Sequence, residues 1–144
     1  MTIYSDGGSK PNPGPGGYAA LLMYGEHQVM IGGGEKKTTN NQMELTAAIR
    51  ALEALTRTCE VDFYTDSQYL RRGITEWIHN WRKNGWRTAD KKPVLNQELW
   101  MRLHELTQQH TIHWHWTRGH AGDKFNELVD QRATEERLKI SQSR

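Results

Sequence analysis

Apolar residues recur with two different periods along this chain, and the switches between them lay out its elements. Thr2 to Ser5, Tyr18 to Tyr24 and Gln28 to Gly32 are short apolar runs parted by Gly-rich breaks, which predicts three strands joined as an antiparallel meander. From Asn40 to Thr56 the period lengthens. Leu45, Ala48, Ile49, Leu52 and Leu55 form one stripe of a helix, with Asn40 or Asn41 as its N-cap. Alternation returns at Val61 to Thr65, where Val61, Phe63 and Thr65 share a face. Short helices are expected from Asp66 to Trp81, ending at Asn84-Gly85, and a longer one over Asn96 to Gln108 on Leu99, Trp100, Leu103 and Leu106. Thr111 to Thr117 alternates Ile112, Trp114 and Trp116 with His113 and His115, a last strand. Phe125 to Leu138 predicts a closing helix, with residues from about 140 to 144 frayed. The order predicts one α/β domain over residues 1–144, a mixed sheet with helices on its faces.

Between the first two strands stands SDGGSKPNPGPGG, Ser5 to Gly17, with five glycines and three of the four prolines of the chain. Such punctuation predicts a stiff loop of unusual backbone shape directly after Asp6. The longest apolar stretch, Tyr18 to Tyr24, is too short to span a bilayer, and Met1 leads straight into a strand without a secretory leader. Cys59 is the single cysteine, so no internal disulfide forms; together these features give the expectation of a cytoplasmic protein.

Net charge is only +2, yet it is unevenly spread. Arg71, Arg72, Arg82, Lys83, Arg87, Lys91 and Lys92 face only Glu76 and Asp90 within one stretch that also holds Trp77, Trp81 and Trp86. Basic residues interleaved with aromatics suit a sugar-phosphate backbone better than plain solvation does.

Of the acidic residues, two stand apart. IYSDGG and FYTDSQ end alike, so adjacent parallel strands would bring Asp6 and Asp66 together at the carboxyl edge of the sheet, where ligands bind in open α/β folds. Read singly, each is equally a turn or helix-cap aspartate. Glu44 reads as a first-turn residue favoured by the helix dipole. Asp130 borders the apolar stripe of the last helix with no Lys or Arg placed to meet it, and carboxylates converging without a basic partner call for a hard cation such as Mg²⁺.

The succession DGGSKPNPGPGG, TTNNQMELTAAIRALEAL, YTDSQY, WIHNWRKNGWRTADKKPVLNQELW and GHAGDKFNELVDQRA resembles the bacterial type 1 ribonuclease H family over nearly the whole chain. The resemblance implies a ribonuclease H-like sheet of five strands, three antiparallel and two parallel, and endonucleolytic hydrolysis of RNA paired to DNA. It implies two Mg²⁺ ions during catalysis, with Mn²⁺ as an alternative, and products with 5′-phosphate and 3′-hydroxyl ends. The family's metal ligands fall on Asp6, Glu44, Asp66 and Asp130, and its loop histidine on His120. Asn12, Asn41 and Gln68 correspond to groups reaching 2′-hydroxyls in the minor groove. Thr39 and Asn96, with backbone near Asn40, correspond to a pocket for a DNA phosphate, and Trp77 and Trp100 to contacts with DNA sugars. Residues 77–96 match a basic protrusion carrying Arg82, Lys83, Arg87, Lys91 and Lys92, with Trp81 and Trp86 packing inside it.

The resemblance further implies a monomer acting on an RNA–DNA hybrid, with no membrane and no obligatory protein partner. Where the family commonly has a His-Pro pair after GHAG, this chain reads Asp123-Lys124-Phe125. Two other readings of the same fold are an integrase- or resolvase-like nuclease and a module that holds hybrids without cutting them. A P-loop phosphate site lacks its Lys-Ser/Thr pair. His113 and His115 have no third ligand in sequence and read as solvated strand residues.

Overall fold

Thr2–Ser9 forms β1, the middle strand of a five-stranded sheet. The computed structural model describes residues 1–88, 92, 94–117 and 123–142. The further strands are β2 (Gly14–Tyr24), β3 (His27–Thr38), β4 (Glu60–Thr65) and β5 (Thr111–Trp116), in spatial order β3-β2-β1-β4-β5. β1, β2 and β3 are antiparallel neighbours, whereas β4 runs parallel to β1 and β5 parallel to β4. The helices are α1 (Asn40–Glu53), α2 (Gln68–Arg72), α3 (Ile78–Lys83), α4 (Gln97–Gln108) and α5 (Lys124–Gln142), with a π-helical turn, Gly73–Trp77, between α2 and α3.

Alternation along the central strands divides the core between the two faces of the sheet. Ile3, Ala20, Leu22, Val61 and Phe63 pack with Leu45, Leu52, Trp100 and Leu103 of α1 and α4. Tyr4, Ala19 and Leu21 point the other way, against Val129 and Ala133 of α5. The stacked rings of Tyr4 and Tyr64, 4.6 Å apart, extend that second layer, and Phe125 leans on Tyr4 at 5.4 Å.

The Gly/Pro stretch is less of a loop than its composition suggests. β1 runs on through Ser9 and β2 begins at Gly14, with Gly8 paired to Gly17 and Ser9 to Gly16. The glycines serve close approach within a ladder. A Cβ on Gly7 would stand 2.4 Å from the Met43 carbonyl oxygen of α1, and one on Gly17 2.3 Å from that of Ala133 in α5. Both helices are thereby drawn onto the edge of the sheet that carries Asp6.

Other boundaries also move. Thr39, not Asn40 or Asn41, caps α1, its Oγ1 accepting the Gln42 N–H at 3.1 Å. That places Glu44 in the second turn, beyond the part of a helix where its dipole acts on a charge. α5 stays helical through Gln142 instead of fraying from 140, packed on β1, β2 and β3, while residues 143–144 of the expected frayed end lie outside the described residues. Asp123 begins α5, its Oδ1 accepting the Asn126 N–H at 3.2 Å, so the residues that depart from the family pattern supply a helix start and an aromatic contact.

Candidate active site

Parallel pairing of β1 with β4 aligns Tyr4 with Tyr64, and continuing that register by two residues brings Asp6 beside Asp66. Alternation turns Asp6 towards α5, where it lies within hydrogen-bonding reach of Asp130. Burial, Asp130 and the charges of Asp66 and Glu44 together push the Asp6 carboxyl up to about 8. The Glu44 carboxyl is pushed up to about 7 by burial, with a hydrogen bond from Ser67 pulling it down and Asp66 raising it. Asp66 is raised by burial too, against its own backbone hydrogen bond, and by Asp130. The four carboxylates thus converge at one edge, each of these shifts reporting a charged form short of water and of positive partners. None of the four joins an ion pair with Lys or Arg among the described residues.

Such a site fits a hard divalent cation. Among the described residues no three His, Cys, Asp or Glu side chains are drawn to full metal-ligand spacing. A divalent cation here would take water and substrate phosphate for the rest of its shell, as Mg²⁺ usually does. The donor set is all carboxylate oxygen, the hard ligand type that Mg²⁺ and Mn²⁺ prefer over imidazole or thiolate.

Sequence reasoning missed Ser67. Its hydroxyl donates to Glu44 Oε2 and accepts the Leu70 N–H at 3.0 Å, so one buried side chain both caps α2 and aims a carboxylate. A serine directly after the β4 aspartate and before a helix was the available signal. Gln42 was missed as well. Its Nε2 donates to Asn96 Oδ1 at 3.2 Å and its Oε1 accepts the Thr38 hydroxyl at 2.9 Å, while its backbone N–H is held by Thr39. Thr39 and Asn96, far apart in sequence, are therefore joined through one residue. Asn96 sits in the left-handed region with φ 61°, and its Nδ2 donates to Tyr69 Oη at 3.1 Å.

Asn12 Oδ1 accepts both the Ser9 hydroxyl and the Asn40 N–H, each at 3.1 Å. The Asn40 amide expected to meet a phosphate is thus already engaged. Asn41 is half-buried and Gln68 exposed, flanking Glu44 and Asp66. Trp77 is half-buried, with the Arg72 guanidinium 5.2 Å above its ring. Trp100 corrects the expectation of a sugar contact: it is fully buried, its Nε1 donating to Tyr69 Oη at 3.0 Å. A side chain sealed beneath Tyr69 and Trp81 holds the basic segment to the core and offers no face to a ligand. Trp81 and Trp86 pack against the same core.

Arg82, Lys83, Arg87 and Lys92 are all exposed around this aromatic base. Lys91 and His120 lie outside the described residues. His113 is exposed and His115 half-buried, and each faces a carboxylate, Glu60 Oε1 at 3.0 Å and Asp62 Oδ1 at 2.9 Å.

The RNase H family profile matches residues 1–137. A Ribonuclease H of Bradyrhizobium diazoefficiens is 60% identical over 133 residues, 92% of this chain and 86% of that protein. One from Halorhodospira halophila is 61% identical over 135 residues, 94% of this chain and 91% of its own length. Among solved structures, LC9-RNase H1, described as a type 1 RNase H with the type 2 active-site motif, superposes with a TM-score of 0.85 at 29% identity, covering 99% of this chain and 74% of that one.

Proposed function

The chain belongs to the bacterial type 1 ribonuclease H family, and we propose that it cuts the RNA strand of RNA–DNA hybrids endonucleolytically with two divalent cations held by Asp6, Glu44, Asp66 and Asp130. The observation that carries this reading is geometric: the β1–β4 register sets Asp6 beside Asp66 and within reach of Asp130, with Glu44 near enough to raise its carboxyl as well. A protein that only held nucleic acid would gain nothing from concentrating negative charge against a phosphate. Mg²⁺, or Mn²⁺ in its place, supplies when bound the activation of water for in-line attack and the stabilisation of the departing 3′ oxygen.

The chain's own residues do the rest. Ser67 steadies Glu44. Asn12, with its Oδ1 occupied, keeps Nδ2 to donate to a 2′-hydroxyl, and Asn41 and Gln68 reach the same groove. Thr39 and Asn96, coupled through Gln42, grip a phosphate of the DNA strand. Trp77 lies along DNA sugars, and Arg82, Lys83, Arg87, Lys91 and Lys92 neutralise backbone phosphates. The His120 imidazole moves a proton or helps a charged product leave. The same reading makes the chain a cytoplasmic monomer that needs no protein partner. Cys59 carries a free thiol, and no helix of the described residues is long and apolar enough to cross a membrane.

The test is incubation of labelled RNA–DNA hybrid, duplex RNA and duplex DNA with Mg²⁺ or chelator. Cutting confined to the RNA of the hybrid, abolished by chelator, with 5′-phosphate and 3′-hydroxyl ends, supports the proposal. Cutting of duplex DNA, or metal-independent cutting, overturns it.

A further inference from the structure

On the α5 side of β1 a groove of about 250 Å³ runs past Asp6 and Asp130, and Lys10, Asn40, Thr134 and Arg137 complete its walls. Arg137 stands seven positions beyond Asp130 on α5, two helical turns or about 10 Å along the axis, so both project from one side of the helix. The backbone beneath Arg137 is tightly seated: a Cβ on Gly17 would come within 2.5 Å of its N. Lys10 reaches the groove from the exposed turn between β1 and β2.

What separates these two cations from their neighbours is that no acidic group among the described residues pairs with them. Arg132 and Lys139, the other basic groups of mid and late α5, both close on Glu136, at 2.9 and 3.3 Å. Among the described residues neither Lys10 nor Arg137 joins an ion pair. Nor do they pair with Asp6 or Asp130, although they line the same groove. Two uncommitted cations beside carboxylates reserved for metal ions match an anion that continues away from those ions.

We propose that Lys10 and Arg137 form a subsite for a phosphate of the RNA strand, next to the one being cut. This rests on the function proposed above. The strand held at Asp6 and Asp130 is the RNA, and its own neighbouring phosphates are the anions that pass along the groove. The Thr39–Gln42–Asn96 cluster belongs to α1 and α4, which pack on the opposite face of the sheet, and Asn40 at the start of α1 is where the two sites adjoin. Arginine suits the role because its planar fork meets two phosphate oxygens at once.

Steady-state cleavage of hybrid across a salt series tests the subsite. Arg137→Gln and Lys10→Gln should each raise KM about three- to tenfold and reduce the slope of log KM against log salt by about one, with a far smaller fall in kcat. Lys139→Gln, which removes equal charge outside the groove, should leave both quantities unchanged. With wild type, one uncharged methylphosphonate linkage beside the cleaved bond in the RNA strand should reproduce the loss seen in the variants, and it should cost Arg137→Gln nothing further. Unchanged KM and salt slope in both groove variants, while wild type still cuts hybrid, would overturn the subsite alone. So would a loss that follows an uncharged linkage in the DNA strand. Absence of hybrid cleavage by wild type would instead remove the functional reading beneath it.

Discussion

The Ser67 hydroxyl donates to Glu44 Oε2 while accepting the Leu70 N–H at 3.0 Å, tying the start of α2 to a carboxylate on α1. Ser67→Ala removes both contacts. Loss of the cap should cost about 1 kcal/mol of stability. Without its donor, Glu44 becomes harder to ionise, so the Mg²⁺ concentration for half-maximal cleavage should rise. Denaturant melts and Mg²⁺ titrations check the two effects separately. A variant less stable but with an unchanged Mg²⁺ requirement would leave Ser67 as a cap only.

Asp6 and Glu44 keep protons in the folded chain that the unfolded chain has released, at about 8 and about 7 against ordinary values of 3.8 and 4.5. Across that window the native state binds more protons than the unfolded state, so metal-free stability should fall as pH rises from about 4 to about 8. Asp62, held below its ordinary value by His115, acts in the opposite sense and only in acid. A divalent cation favours the ionised carboxylates, so the Tm gain from Mg²⁺ should be small at pH 5 and larger at pH 8. Melts in chelator and in Mg²⁺ measure both, and Asp6→Asn should flatten the chelator profile. A chelator Tm that climbs between pH 5.5 and 8 in wild type and variant alike would count against the shared burial of these groups.

Arg82, Lys83 and Arg87 stand exposed on a base of packed tryptophans. Neutralising all three should raise KM for hybrid and flatten its salt dependence by about one unit of slope for each lost phosphate contact, with little change at saturating substrate. An unaltered slope would show that hybrid docks elsewhere.

His120→Ala should lower kcat by about ten- to a few hundredfold, at or below the usual contribution of a positioned acid or base, while KM and Mg²⁺ affinity hold. Unchanged kcat would remove the loop from the chemistry, and lost metal binding would make His120 a ligand.

The architecture was legible because apolar periodicity is strong where the sheet is buried. The meander and the stripe of α1 follow from it, whereas the parallel pairing of β4 was implied by the family resemblance. Composition misled where the backbone, not the side chain, does the packing. Gly7, Gly8, Gly16 and Gly17 read as loop residues but lie in strands, admitting α1 and α5 to the sheet. The paired endings of β1 and β4 pointed to Asp6 and Asp66 because register carries that relationship locally. The sugar contact of Trp100 came from the family resemblance alone, whereas its place in the apolar stripe of α4 with Leu103 and Leu106 agrees with the buried position it holds. Gln42 and Ser67 were invisible because their partners, Asn96 and Glu44, are brought near only by folding.

Cleavage of end-labelled RNA–DNA hybrid by Asp6→Asn and Asp66→Asn, beside wild type at saturating Mg²⁺, tests the central claim most directly, with circular dichroism confirming that each variant is folded. Each substitution keeps the side chain's shape and removes the charge that holds the cation, so hydrolysis should be abolished while hybrid binding is retained or tightened by relief of repulsion. Near-wild-type turnover by either folded variant would contradict the assignment of these carboxylates to metal-dependent cleavage.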